Sequence, residues 1–476
     1  MAQKLSESEM KKRLEKLRNY ERLYPELRRK YEEVKEENRQ LKKTVAEQQA
    51  LIEKLLLRVE ELERMVFGGK RRPEDDDHTP LLPPDTDTPQ PVQRTAKSYR
   101  RAEPEPEEVT KHTTAPIHAC PDCGTSLRRK ATVTRYIEDI PLPKKTVEEQ
   151  TIERGWCPCC KQTKSAVPIS PQLCTLGPNV RLYIPFAVTV LGQTFEKVKT
   201  YLRGVHGLAV SDGEITQILH EAHRKLLPAK REIEATIRAS PVSHYDETTY
   251  PVQGGEQGNY AWVKTRADGP ETVFLLGRTR GKGNAEEIRG PPSEQVGVTD
   301  DYGAYDNLFG KHALCWAHPL RKIRDLARSS VLPVRQRQSC RRTYLKFKEL
   351  LRDVEAFITD EHSVREREEA RQRFAERIAS VMAPKKNDPL KMRTIKKTFS
   401  ENMEQYLLCV RIPGVPMTNN KAERSLRHLV IKRLLSFGSR TQKGAQTMET
   451  LLSVLLTLWW KKPEDYFGEL RALIAV

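Results

Sequence analysis

The chain has 476 residues, more than the roughly 100–200 residues of a typical single domain, so we expect about two to four domains. Lys and Arg total 83 against 65 Asp and Glu, and this net charge of +18 indicates a polyanionic partner, with nucleic acid the leading class. No apolar run reaches the about 18 residues of a membrane-spanning helix, and the first residues lack the apolar stretch of a signal peptide, so we expect a soluble cytoplasmic protein with no membrane partner.

A heptad repeat runs from Tyr31 to Val66 in the first predicted domain, residues 1–67. Its β-branched a positions and Leu-rich d positions favour a parallel, two-stranded coiled coil and hence a homodimer, with Asn38 as a polar residue that fixes the register. The alternative is a long amphipathic helix packed on its own protein. We expect Pro25 to break the helix upstream. The a positions are Tyr31, Asn38, Val45, Ile52, Val59 and Val66, and the d positions are Val34, Leu41, Gln48, Leu55 and Leu62.

Residues 68–117 have a different composition, with charge runs, frequent Pro and almost nothing to bury. Such a segment is typical of a disordered, flexible linker. The coiled coil and the working domains therefore need not move as one rigid body.

A small, β-rich zinc-binding module of the zinc-ribbon type is predicted over residues 118–173. Two CxxC pairs flank the strand-like stretches VTRYIEDIPLP and TVEEQTIERGW, and four thiolates suit the tetrahedral coordination of a structural Zn²⁺. Nine Cys in a long chain do not indicate a disulfide framework. Free buried thiols are the alternative, and Cys159 and His118 leave the ligand set open. The predicted zinc ligands are Cys120, Cys123, Cys157 and Cys160.

Residues 174–238 are predicted to be helical from their periodicity and their Leu, Ala, Lys and Glu content. Within them, a turn after Leu208 and a Ser or Asp N-cap precede the amphipathic stretch EITQILHEAHRKLL. This pattern is compatible with a DNA-binding helix-turn-helix, although any helical hairpin gives the same pattern.

Residues 239–476 begin with short strands and continue with helices, which predicts a mixed α/β core with a helical insertion at about 325–412. The predicted strands lie in PVSHYDE, YAWVKTRA, ETVFLLG, VGVTDDYGAY and HALCWAH. The whole chain is therefore predicted to be multidomain, with a coiled coil, a zinc module, a helical segment and an interrupted α/β core.

Three carboxylates occupy positions that such a core can bring together. Asp246 and Asp300 end apolar strands, and Glu423 lies near the start of a helix. Hard oxygen ligands bind Mg²⁺ or Mn²⁺, and two such ions support in-line phosphoryl transfer. Each acid also has a structural interpretation: a turn residue, an Asx-turn, and an ion pair of Glu423 with Arg427.

Basic residues follow these acids in two groups, both predicted to contact DNA phosphates. Solvated helix faces are the alternative. Cys315 and His318 in CWAH have the spacing of metal ligands, but two ligands do not complete a zinc site, so a structural role at the strand-to-helix junction is favoured. The first group is Arg321, Lys322 and Arg324; the second, in a segment without any acid, is Arg424, Arg427, Lys432, Arg433, Arg440 and Lys443.

The motifs HYDETTY, VTDDYGAYDNL, CWAHPLRK and NNKAERSLR resemble the core of bacterial insertion-sequence transposases with a DDE-type, RNase H-like catalytic domain. The order of zipper, zinc module, helical segment and interrupted core is similar to that of the insertion sequence 66 family. The resemblance implies that Asp246, Asp300 and Glu423 are the catalytic acids. Asp301 stands where the family commonly has Gly, which leaves Asp300 or Asp301 open as the metal ligand, and Thr418 replaces an Asp that often precedes the NN pair.

The resemblance also implies a function. We expect a transposase, active at the bacterial nucleoid, that binds the terminal inverted repeats of its element, cleaves the 3′ ends and joins them to target DNA. Accessory proteins of the same element are left open as partners. Two alternatives are a nuclease of the same fold without strand transfer, and a catalytically inactive DNA-binding relative.

Overall fold

The computed structural model describes residues 7–67, 103–114, 121–125, 134, 136–138, 143–165, 175–253 and 258–475. Most of the predicted linker, together with Cys120 and His118, lies outside these residues. None of the described helices is both long enough and apolar enough to cross a membrane.

Helices predominate among the described residues, and short 3-10 turns lie at Pro106–Glu108 and Gly303–Tyr305. In chain order the elements are α1 (Glu7–Phe67), β1 (Arg154–Cys157), β2 (Gln162–Ser165), α2 (Pro178–Thr189), α3 (Phe195–His206), α4 (Asp212–Ala239), β3 (Val242–Thr249), β4 (Tyr260–Arg266), β5 (Thr272–Arg278), α5 (Lys282–Arg289), β6 (Val296–Thr299), β7 (Lys311–Leu314), α6 (Ala317–Ala327), α7 (Val334–Thr359), α8 (Val364–Met382), α9 (Leu390–Glu401), α10 (Met403–Tyr406), α11 (Leu408–Arg411), α12 (Asn420–Ser436), α13 (Gln442–Trp460) and α14 (Tyr466–Ala475).

The chain divides into two compact units that alternate along the sequence. The first, here called the core unit, comprises residues 79–292 and 420–476. The second, here called the helical unit, comprises residues 1–78 and 293–419. Both contain helices and strands, so the mixed α/β character predicted from the sequence is confirmed, whereas the predicted domain boundaries stay predictions.

The core unit is built around the antiparallel strands β3, β4 and β5, in which β4 pairs with both neighbours. Helices α2, α4 and α13 pack together, and α13 and α4 pack on β5. The apolar run LLSVLLTL of α13 is buried almost completely, because this helix lies between the sheet and α4. Ser211 caps α4 in a capping box with Glu214, which confirms the predicted N-cap.

Polar side chains of α13 satisfy the outer edge of β5. Three residues spaced four apart on α13 accept hydrogen bonds from alternate backbone N–H groups of the strand: Glu449 from Leu276 at 3.2 Å, Ser453 from Phe274 at 3.1 Å, and Thr457 from Thr272 at 3.1 Å. An uncovered edge strand is a template for aggregation. Helix α13 therefore covers this edge as well as supplying the core.

In the helical unit, β6 and β7 form a parallel pair, with Val296 opposite Lys311. Phe309 packs against Gly297 so closely that a Cβ atom on Gly297 would overlap its ring, which explains the glycine in this strand. An aromatic cluster joins α7, α9 and α10 to the start of α6 through Trp316, Phe347, Phe399 and Tyr406. The helical character predicted for about 325–412 is thereby confirmed.

Helix α1 is continuous through Pro25, so the predicted break there is wrong. A proline inside a helix removes one backbone hydrogen bond, and in a helix of this length the flanking turns carry on past it. The described side chains at the a and d positions are exposed, whereas Leu57, at an f position of the same repeat, is 7% exposed. Glu60, at a b position, accepts hydrogen bonds from the Ser329 hydroxyl at 2.6 Å and the Ser330 N–H at 2.8 Å. The outer face of α1 thus contacts residues 329–330 of the same helical unit.

In the predicted zinc module, β1 and β2 form an antiparallel hairpin with Cys157 opposite Gln162. The strand predicted over TVEEQTIERGW is present only from Arg154 onward, since residues 143–153 have no regular secondary structure. The exposed acids in this stretch leave it little apolar surface to bury, which is why the strand is shorter than predicted.

Candidate active site and basic surface

Asp246 lies in the middle of β3, after four buried residues, Val242 to Tyr245. It is half-buried, stands opposite Val263 of β4, and accepts a hydrogen bond from the backbone N–H of Glu247 at 2.9 Å. The ladder to β4 fixes its backbone on one side, so its position is set by regular secondary structure.

The next residue, Glu247, forms an ion pair with Arg280. Its side chain is only 2% exposed and accepts hydrogen bonds from Arg280 at 2.8 and 3.1 Å. Successive residues of a strand point to opposite faces, so Asp246 and Glu247 do not share a face. The sequence gives no signal for this ion pair, because Arg280 lies in a loop beyond two further strands.

Glu423 lies in the first turn of α12, which packs against β3 and β4. Two cations tie this helix to the sheet. Lys421 donates to the carbonyl oxygens of Ala267 at 2.9 Å and Gly269 at 2.7 Å, and Arg433 donates to that of Thr249 at 2.6 Å. The helix that carries Glu423 is therefore held at both ends against the strand that carries Asp246.

Asp300 belongs to the helical unit and directly follows β6. Its side chain is half-buried and accepts a hydrogen bond from the backbone N–H of Tyr302 at 3.1 Å, which is the Asx-turn anticipated as its structural role. The hydroxyl of the buried Thr299 donates to the Asp300 carbonyl oxygen at 2.6 Å. These bonds orient Asp300 without excluding metal binding by its carboxylate.

His312 of β7 supports the same turn, which the sequence did not predict. Its Nε2 lies 2.7 Å from the Thr299 hydroxyl oxygen. Because the single hydroxyl proton of Thr299 goes to Asp300, Nε2 must carry the proton of this bond, and we assign the neutral tautomer on that basis. Burial lowers the pKa of His312 to about 4, so it is uncharged at neutral pH.

Asp301 is exposed and pairs with Lys322, whose Nζ lies 3.0 Å from both carboxylate oxygens. Burial raises the pKa of the Tyr406 hydroxyl, and the nearby Asp301, Cys315 and Asp300 act in the same direction. Asp300 is thus the half-buried member of the adjacent pair and Asp301 the exposed, ion-paired one. Which of the two would bind a metal ion stays a prediction.

Cys315 lies at the junction between β7 and α6 and is buried. Its Sγ accepts a hydrogen bond from the Asn419 N–H at 3.2 Å, and its own N–H donates to the Thr299 carbonyl oxygen at 2.9 Å. His318, three residues on, lies 3.2 Å from an Arg321 nitrogen through its Nε2. These contacts place Cys315 in the packing of the strand-to-helix junction, and its structural role stays a prediction.

The basic residues predicted to bind DNA differ in exposure. Lys432 is 6% exposed and its Nζ donates to the carbonyl oxygen of Val188 at 3.2 Å, near the C-terminus of α2. Burial lowers its pKa to about 8. The prediction that Lys432 contacts phosphate is therefore wrong, because its ammonium group caps a helix. Exposed members are Lys322, Arg424, Arg427, Arg440 and Lys443, and half-buried ones are Arg321, Arg324 and Arg433.

The second CxxC pair lies in the turn between β1 and β2. Cys157 Sγ accepts a hydrogen bond from the Cys160 N–H at 3.4 Å, and Lys161 has a φ of 50°, which closes the turn. Hydrogen bonds from Cys160 and Cys159 lower the pKa of the Cys157 thiol and so favour the thiolate, the form that binds metal. Cys123 lies in a separate turn, followed by Gly124 with a φ of 73°.

Comparison with known proteins shows what this chain is similar to. The family model described as "Transposase IS66 family" matches residues 176–447, more than half of the chain and a range that contains Asp246, Asp300 and Glu423. A curated protein of Sinorhizobium fredii (strain NBRC 101917 / NGR234), described as "Uncharacterized protein y4jO", is 28% identical over 165 residues, which are 34% of this chain and 48% of that protein. The match thus spans about half the length of this relative. The chain belongs to the IS66 transposase family.

Proposed function

We propose that this member of the IS66 family is a DNA transposase that binds the terminal inverted repeats of its insertion sequence, cleaves the 3′ ends and transfers them to target DNA. One structural observation gives this proposal its main support. The helix of Glu423 is held against the strand of Asp246, and the same helix opens an acid-free basic segment that runs to Lys443. Carboxylates next to a basic surface suit phosphoryl transfer on a polyanion.

The predicted catalytic set fits divalent cations by its chemistry. Asp246, Asp300 and Glu423 offer hard oxygen ligands and are half-buried, which suits Mg²⁺ or Mn²⁺. Two bound cations would activate a water molecule or a 3′-hydroxyl group and stabilise the leaving oxygen. The three carboxylates would hold these ions, while exposed cations such as Arg424 and Arg427 would hold the DNA phosphates.

Two other groups assist without touching the DNA. Arg280 binds Glu247 and keeps a second carboxylate out of competition with Asp246. Neutral His312 holds the Thr299 hydroxyl toward the backbone of Asp300 and adds no positive charge that would oppose a cation. We propose both as positioning residues.

The test uses the purified chain, Mg²⁺ and DNA that flanks its own gene. Cleavage at the element ends that needs Mg²⁺ is expected, and its absence would favour the inactive relative. Joining of a labelled, pre-cleaved end to a second DNA is also expected, and cleavage without joining would favour the nuclease.

We also propose a structural Zn²⁺ held by Cys120, Cys123, Cys157 and Cys160. The turn that carries the second pair, with its N–H to Sγ bond, supports this proposal. Elemental analysis should find about one zinc ion per chain, lost in Cys160→Ser and retained in Cys159→Ser. Full zinc content in Cys160→Ser would remove that residue from the ligand set.

Finally, we propose that α1 forms a parallel homodimer that brings two DNA ends together, with accessory proteins of the element as further candidate partners. The a and d positions are exposed, while Leu57 and Glu60 use the opposite face for the contact with the helical unit, so both contacts are compatible. Sedimentation of the full chain should show a dimer that Leu41→Asp with Leu55→Asp dissociates. A wild-type monomer at micromolar concentration would refute the coiled coil.

A further inference from the structure

Phe437, in the loop between α12 and α13, combines two unfavourable features. Its side chain is 73% exposed, and its φ of 55° lies in the left-handed region that bulky residues rarely adopt. The left-handed conformation ends α12, but glycine or a small polar residue would adopt it at lower cost than phenylalanine. Strained residues that persist in this way cluster at functional sites.

The backbone around Phe437 is fixed from both sides. Its own N–H donates to the Arg433 carbonyl oxygen at 2.9 Å, and the next residue, Gly438, approaches Pro251 so closely that a Cβ atom would overlap the Pro251 carbonyl oxygen. Ser439 then donates to that oxygen at 3.0 Å, and its hydroxyl lies 3.0 Å from the hydroxyl of the buried Tyr250. The backbone that carries the exposed Phe437 ring is therefore held in place by these contacts.

The sequence on both sides of Phe437 carries charge of one sign. The sequence contains no Asp or Glu from Arg424 to Lys443, and Arg440 and Lys443, three and six residues after Phe437, are exposed. An exposed aromatic ring among Arg and Lys is the pattern with which proteins bind single-stranded nucleic acids, because the ring stacks on a base while the cations contact phosphates.

We propose that Phe437 stacks on an unpaired DNA base, with Arg440 and Lys443 contacting phosphates of the same strand. This inference rests on the proposed function, because it assumes that the chain binds DNA. It goes further by naming the structural form of DNA that this loop recognises, a nucleotide outside the double helix. Phe437 is a binding residue here, and no chemical step is assigned to it.

The experiment compares two fluorescently labelled probes for binding to the full chain by anisotropy: a blunt duplex, and the same duplex with a single-stranded thymidine tail. Wild type is expected to bind the tailed duplex more tightly. Phe437→Ala should lose about tenfold or more of its affinity for the tailed duplex, the typical loss when a stacking ring is removed, and little for the blunt one. Phe437→Trp should retain the preference, since the indole ring also stacks.

Two control variants separate binding from folding and from general apolar contact. Phe437→Gly relieves the left-handed backbone, so it should unfold at no lower temperature than wild type and still lose the preference. Leu434→Ala removes another exposed apolar side chain near the end of α12 and should keep the preference.

Several outcomes would overturn the inference. Equal affinities of Phe437→Ala and wild type for the tailed duplex would do so, as would an equal loss on both probes. A change in sedimentation without a change in DNA affinity would identify a protein partner instead. If wild type binds neither probe, the proposed function itself is refuted. If wild type binds both probes tightly but without a preference for the tail, the proposed function stands and only the role of Phe437 is refuted.

Discussion

The two units hold their candidate acids by different means. In the core unit, Asp246 lies inside a paired strand. Hydrogen bonds from Lys421 and Arg433 to backbone carbonyl oxygens hold the helix of Glu423 against the sheet. In the helical unit, Asp300 follows a four-residue strand and depends on hydrogen bonds among neutral groups. The first arrangement is fixed by regular structure and by hydrogen bonds from cations to backbone carbonyl oxygens, whereas the second includes a hydrogen bond from a histidine that can titrate. The units should therefore respond differently to mutation and to pH.

The largest expected effect comes from the acids, which should be equally necessary however they are held. Asp246→Asn, Asp300→Asn and Glu423→Gln should each reduce DNA cleavage by about a thousandfold or more, because each removes an oxygen ligand of the proposed metal ions. Binding of end DNA should change little, since affinity depends on cations. Cleavage assays with Mg²⁺ and gel-shift assays measure the two effects.

The matched control is Asp301→Asn, which removes a carboxylate one residue away that pairs with Lys322. It should retain cleavage. If Asp301→Asn were inactive and Asp300→Asn active, the assignment within this pair would be reversed.

The next effect is on the stability of the core unit. Glu449→Ala removes the partner of the buried Lys230 at 2.6 Å and the acceptor of the Leu276 N–H, and leaves Lys230 with the half-buried Glu234 at 3.6 Å. It should lower the free energy of unfolding by about 3 kcal/mol. Glu287→Ala, which removes the exposed partner of Arg278, should cost less than about 1 kcal/mol. Urea unfolding measures both. Similar losses would show that covering the edge of β5 contributes little.

The helical unit should be sensitive to acid through His312. Its pKa is about 4 in the folded chain against a reference of 6.5, so below about pH 6.5 the unfolded state binds a proton that the folded state does not. The free energy of unfolding should fall by up to about 3 kcal/mol as the pH drops from about 6.5 to 4. Above about pH 6.5 the contribution of neutral His312 should be fully present.

His312→Gln provides the control, because its amide can still donate to Thr299 but does not titrate. The unfolding midpoint is measured for each protein at pH 7 and at pH 5. The decrease between the two pH values should be smaller in His312→Gln than in wild type. Parallel losses in the two proteins would assign the acid sensitivity to other groups.

Local pattern predicted the regular elements of both units. Alternation located β3, β4 and β5 to within about two residues, and the Ser211 cap was evident from the sequence. Pairings between distant residues are not predictable from local pattern. The Glu247–Arg280 ion pair and the His312–Thr299 hydrogen bond, for example, produce no repeated spacing in the sequence. The strand predicted over TVEEQTIERGW begins only at Arg154, because the few apolar residues of this stretch, such as the exposed Val147, are not packed in a core.

Lys432 differs from these cases because its signal was present in the sequence. It continues the helical spacing of Ala422, Ser425 and Leu429, which form the buried face of α12, so periodicity places it inward. Its place in a run of cations predicts phosphate binding, whereas its place on the helix predicts burial, and the structure follows the helical position. The same stretch thus contains a buried lysine and, at Arg427, an exposed arginine.

The smallest expected effect tests this distinction through the salt dependence of DNA binding. A cation that contacts a phosphate releases a counterion, so Arg427→Gln should reduce the slope of log affinity against log salt by about 1. Lys432→Met should leave the slope unchanged, because the ammonium group already donates to the Val188 carbonyl oxygen inside the core unit. Its effect should instead appear as lower thermal stability, since the C-terminus of α2 loses its cap. Anisotropy titrations with a blunt duplex at several salt concentrations measure the slopes. An equal reduction in both variants would mean that Lys432 leaves its buried position when DNA binds, and the face of α12 that packs on the core unit would then have to open.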